Sequence, residues 1–140
     1  MAKVLQDLWV LQQSGVVVYR RVFNESVNAQ LFGGLMSALH SFAQELSSGG
    51  LTNFELSSIR FTILKSNGFL FVANAAKKVK EKKVQEELTI VSEKFFTQYP
   101  PDWFKNDWDG DISYFEGFEK EIGETLQDPI KAFWSGLVDK

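Results

Sequence analysis

Arg60-Phe61-Thr62-Ile63-Leu64-Lys65-Ser66-Asn67-Gly68-Phe69-Leu70-Phe71-Val72-Ala73 reads as two strands and the turn that joins them. Arg60 to Lys65 alternates loosely between polar and apolar, and Phe69 to Ala73 is apolar throughout. Asn67-Gly68 suits a two-residue hairpin, because both residues tolerate the positive φ angles that such a turn requires. A shorter strand, Asn53 to Ser57, precedes the pair. Three strands in succession predict an antiparallel sheet at this point of the chain.

Upstream lies a second hairpin, Leu5 to Gln12 and Val16 to Phe23, turned at Ser14-Gly15. Its runs Leu8-Trp9-Val10-Leu11 and Val16-Val17-Val18-Tyr19 have no polar face, which predicts a sheet covered on both sides. Between the two strand groups runs a helix, Val27 to Leu46, with Asn24 or Ser26 as N-cap and Ser47-Ser48-Gly49-Gly50 as its stop. Leu31, Leu35, Leu39, Phe42 and Leu46 recur at helical spacing, and Phe32, Met36 and Ala43 widen the stripe into the face expected against the sheet. Gly33-Gly34 inside the helix costs about 1 kcal/mol per residue relative to Ala. Close approach of another backbone is the expected compensation.

Downstream, Val79 to Tyr99 forms a second helix whose face is Val84, Leu88, Val91 and Phe95, ended by Pro100-Pro101. A turn-rich link through Asp109-Gly110 leads to a third helix. Ser113-Tyr114-Phe115-Glu116 has the form of a capping box, and Phe115, Phe118, Ile122 and Leu126 supply the apolar face. An amphipathic piece, Ile130 to Val138, follows with Phe133, Trp134 and Leu137.

The chain has 140 residues, 44% of them hydrophobic and 20 of them aromatic, enough for one domain with a real core. There is no cysteine and a single histidine, His40, which excludes disulfides, thiolate metal sites, cysteine nucleophiles and any site needing two imidazoles. No phosphate-binding glycine loop and no nucleophile–histidine pairing is present, so no catalytic residue, cofactor or metal is expected. Asp107-Trp108-Asp109-Gly110-Asp111 resembles the start of a calcium loop, but Ile112 stands where that loop needs Gly and Phe118 where it needs Glu. Net charge is −3, unevenly spread: residues 1–100 hold 11 Lys/Arg against 8 Asp/Glu, and residues 101–140 hold 4 against 10. General affinity for nucleic acid is not expected from that balance. No signal-peptide pattern opens the chain and no apolar run is long enough for a membrane span, so the expectation is a cytoplasmic protein.

The order strand, strand, helix, three strands, helix, helix predicts a mixed α/β domain: a five-stranded antiparallel-type sheet with one helix on one face and two on the other. That order resembles the longin domain. The likeness rests on the opening hairpin, on Phe32-Gly33-Gly34-Leu35-Met36-Ser37-Ala38-Leu39, on Phe54-Glu55-Leu56 with Arg60-Phe61-Thr62-Ile63, and on Phe69-Leu70-Phe71-Val72. It covers residues 4–128 of a single domain spanning 1–140, with 129–140 as a C-terminal extension. Longin-like relatives include the N-terminal domains of longin-type SNAREs, small chains of vesicle-coat adaptors and subunits of tethering complexes. The related roadblock fold begins with a helix, whereas this chain begins with a strand. With no heptad segment after the domain, a fusion role of the SNARE type is not expected. The resemblance implies a non-enzymatic platform, paired as a homodimer or heterodimer with another longin or roadblock subunit, that serves a small GTPase or a membrane-trafficking complex.

Three surfaces are candidates for contact. Small residues Gly33, Gly34, Ser37 and Ser41, with Met36 and His40 on their flank, form a stripe behind the leucines of the first helix, and Glu45 is the only charge between 26 and 46. This stripe is either a subunit interface or simply the fit of the helix to its own sheet. Lys77, Lys78, Lys80, Lys82 and Lys83 place five lysines in seven positions. They are either a contact with an anionic membrane surface, which would make the protein peripheral there, or a solvated first turn with Lys82/Glu86 and Lys83/Glu87 as i,i+4 pairs. Trp103, Phe104, Trp108 and Trp134 sit in the link and tail, as packing for the link or as an apolar patch for a partner.

Overall fold

The computed structural model describes residues 5–22, 29–46, 52–56, 59–76 and 78–122. Five strands, β1 (Asp7–Gln12), β2 (Val17–Arg21), β3 (Asn53–Leu56), β4 (Ile59–Ser66) and β5 (Phe69–Ala76), form one sheet in the order β2-β1-β5-β4-β3. Every neighbouring pair is antiparallel. Asn67 at φ 51° and Gly68 at φ 81° make the tight turn between β4 and β5. Helix α1 (Ala29–Leu46) carries the chain from edge strand β2 to edge strand β3 across one face. Helix α2 (Glu81–Gln98) lies on the other, followed by α3 (Pro101–Asn106), a 3₁₀ helix (Ile112–Phe118) and the single turn α4 (Glu119–Ile122).

Strand alternation divides the core in two. Leu8, Val10, Phe69, Phe71 and Ala73 meet Val84, Leu88, Val91 and Phe95 of α2, with Phe115, Phe118 and Ile122 closing that layer. Trp9, Leu11, Phe61, Ile63, Leu70 and Val72 face α1, where Met36 and the half-buried Phe32 meet them. Both faces of β1 and β5 are therefore covered, which accounts for their unbroken apolar runs. Opposite the register shift between Val10 and Leu11, β2 bulges, so that Val17 joins the α1 side while Val18 and Tyr19 join the α2 side.

Three expectations change in detail. Helix α2 starts at Glu81, because Lys80 is extended at ψ 136° and serves as its N-cap. The capping role expected of Ser113 belongs to Asp111, whose Oδ1 accepts the Ser113 N–H at 2.9 Å, and the segment it caps begins as 3₁₀ rather than α. That hydrogen bond also holds the Asp111 carboxyl below its ordinary pKa. The link is partly helical: Pro101 at the first position, with Asp102 beside it, starts α3. The expected caps Asn24 and Ser26, the stop at 47–50, Leu126 and the extension 129–140 lie outside the described residues.

Candidate functional site

Helix α1 is seated by four contacts on the β1–β2 hairpin. A Cβ on Gly33 would land on the Gly15 carbonyl oxygen and within 2.7 Å of Val17 Cγ2, so only glycine lets the helix come this close. This is the close approach that the Gly33-Gly34 pair implied. Ser37 Oγ donates to the Gln13 carbonyl. Gln30 grips β2 through its amide: Oε1 accepts from Val17 N–H at 3.1 Å, and Nε2 donates to Val17 C=O at 3.3 Å. Phe32 stacks on Trp9 with ring centroids 4.3 Å apart.

These contacts set the rotation of the helix: Phe32 and Met36 face the sheet as expected, but the leucine stripe does not. Gly33, Met36 and His40 are buried toward the sheet, with Ser37 half-buried beside them. Of the six residues expected on a partner-facing stripe, Gly34 and Ser41 alone are exposed. The leucines expected against the sheet stand outward instead: Leu31 is 76% exposed, Leu35 55%, Phe42 63% and Leu46 77%, with Leu39 between them. The physical reason is distance. A face with Gly33 and Ser37 opposite the hairpin turn approaches it more closely than a stripe of leucines could. Helix α1 is apolar on both sides, a pattern that calls for cover on both.

The outward stripe is continuous and uncharged apart from Glu45 at its end. Reading the helix backwards about the midpoint of Ala38 and Leu39 maps Leu31 onto Leu46 and Leu35 onto Phe42. A surface with that property complements its own copy in an antiparallel crossing.

The other candidate surfaces fall differently. Trp103, Phe104 and Trp108 are half-buried and pack on the α2-side core. Phe104 lies 4.7 Å from Phe69 and stacks on Phe115, while Trp108 lies 5.6 Å from Phe115 and donates its Nε1–H to the Asp111 carbonyl. These three rings close the core rather than offer a patch; Trp134 lies outside the described residues. Lys78, Lys80, Lys82 and Lys83 are exposed, Lys77 lies outside the described residues, and of the two expected helical pairs Lys83–Glu87 forms, at 3.0 Å.

Between β2 and the 3₁₀ helix runs a cleft of about 320 Å³ lined by Tyr19, Arg20, Arg21, Ile112, Glu116 and Glu119. Arg21 Nε meets Glu119 Oε1 across it at 3.1 Å. Burial, reinforced by the Glu119 carboxylate, pushes the Tyr19 phenol well above its ordinary pKa, so it stays neutral. The Asp107–Asp111 segment is an ordinary turn, with Asp109 Oδ1 accepting the Asp111 N–H at 3.0 Å. Among the described residues no group of three His, Asp or Glu is placed to hold a metal ion, and no helix is long and apolar enough to cross a membrane.

This arrangement, a five-stranded antiparallel sheet with α1 alone on one face and α2 with the later helices on the other, defines a longin-type domain. Residues 6–99 match the family described as the first longin domain of FUZ, MON1 and HPS1, and the chain belongs to that family. Its structure is similar to a roadblock/LC7 domain from Streptomyces avermitilis, at a TM-score of 0.58 and 15% identity, over 69% of this chain and 85% of that one. The gliding protein MglB of Thermus thermophilus aligns at a TM-score of 0.47 and 10% identity, over 58% of this chain and 67% of that one. Myxococcus xanthus MglB aligns at 0.47 and 13%, over 64% and 84%. At 15% identity the likeness to the roadblock/LC7 domain is one of fold. Among curated proteins no sequence matches.

Proposed function

We propose that the domain is a non-enzymatic interaction platform that pairs through the outer face of α1, with a small GTPase or a membrane-trafficking complex as its client. The observation that carries the pairing is the exposed stripe of Leu31, Leu35, Leu39, Phe42 and Leu46. Fully burying a Leu or Phe side chain is worth about 1.5–3 kcal/mol, so five such residues, already partly covered, offset a substantial part of the association cost of about 4–15 kcal/mol. The near-symmetry of the stripe under reversal favours a second copy or a closely similar subunit as the mate. The choice of client rests on longin membership.

The pairing is tested by solution mass. Light scattering should return twice 15.9 kDa for the native chain and the single-chain mass for Leu35→Asp with Phe42→Asp. A native chain that stays monomeric at high concentration overturns the homodimer. Purified small GTPases loaded with GDP or a GTP analogue test the first client, and failure of every one to bind overturns the GTPase reading.

A further inference from the structure

We infer that the corner carrying Lys78, Lys80, Lys82 and Lys83 is where the domain rests on an anionic lipid surface. All four side chains are exposed, and among the described residues only Lys83 has a salt-bridge partner, Glu87. Glu81, the one carboxylate within the run, is half-buried and turned inward, where its Oε1 accepts from Asn53 Nδ2 at 2.7 Å. Arg60 Nη1 donates to the Val79 carbonyl at 3.4 Å, which ties the run to the end of the sheet.

Folding gives no reason for Lys78, Lys80 and Lys82. Positive side chains at a helix N-terminus oppose its dipole, and Lys80 at the N-cap position provides no side-chain cap. A charge pattern that folding does not favour points to a use outside the fold. Lysine is a strongly hydrated point charge, suited to the diffuse potential of a lipid surface, whereas bidentate recognition of a particular carboxylate or phosphate selects arginine.

The rest of the molecule gives this corner an orientation. Helix α2 has 18 residues, about 27 Å of length, and separates the lysines from the acidic link that follows its far end. Asp102, Asp107, Asp109 and Asp111 lie in or next to that link, and Glu121 is anchored beside the last turns of α2 through its carbonyl to Lys94 Nζ at 2.9 Å. A negatively charged surface would therefore attract one end of α2 and repel the other. None of this depends on the pairing through α1.

The test is sedimentation with phosphatidylserine-rich vesicles at low ionic strength, comparing the native chain with Lys78→Gln, Lys80→Gln, Lys82→Gln combined. Each lysine is worth about fivefold in affinity at such a surface, so the triple variant should bind about a hundredfold more weakly. Added salt should release the native chain, and an unchanged melting temperature would show that the variant is folded. Absence of native binding, equal binding to pure phosphatidylcholine vesicles, or an unaffected triple variant overturns the inference. Preference for soluble polyglutamate over vesicles overturns it too, and reassigns the corner to an acidic protein. The Leu35→Asp, Phe42→Asp chain should still bind vesicles even if it no longer pairs.

Discussion

At Gly33 the absence of one methyl group sets the distance between a helix and a sheet. The carbonyl of Gly15 occupies the space a Cβ would need, and backbone cannot swing aside as a side-chain tip can. Gly33→Ala should therefore destabilise by about 1–3 kcal/mol through overpacking, read from the urea midpoint. Its neighbour offers the control. No atom lies within 4 Å of a Cβ on Gly34, so Gly34→Ala should gain up to about 1 kcal/mol of helix propensity. If both substitutions had the same effect, the close approach would not be what demands glycine here.

At the scale of elements, Phe95 holds the α2 layer together. Its ring lies 5.5 Å from Phe71 of β5, 5.8 Å from Phe104 of α3 and 5.2 Å from Phe118 of the 3₁₀ helix. Phe95→Ala should cost about 3–5 kcal/mol and loosen α3 along with α2, seen as earlier proteolysis after Lys105. The strands and α2 are legible in the sequence because turns at Ser14-Gly15 and Asn67-Gly68 punctuate them and one stripe of α2 is apolar. The rotation of α1 is not legible. Both its sides are apolar, and the partner that chooses between them, Gly15, lies in another element. Helix α3 did leave a signal, Pro101 followed by Asp102, but so short a helix is masked by the turn residues after it. The aromatic residues of the link show only that they need cover; that Phe69, Phe95 and Phe115 supply it depends on where β5 and the 3₁₀ helix lie.

At the scale of the whole molecule, the two proposed surfaces occupy different elements, α1 on one face of the sheet and the N-terminal end of α2 on the other. Substitution of one should leave the other working, which mass and vesicle binding measure separately. The sheet itself is finished differently at its two edges. Strand β3 has only four residues, a short template for any further strand. On β2 the amide of Gln30 already holds both backbone groups of Val17, as a neighbouring strand would. Gln30 thus blunts that end of the β2 edge against strand addition, and a Gln30→Ala chain should form thioflavin-binding aggregates more readily than the native one.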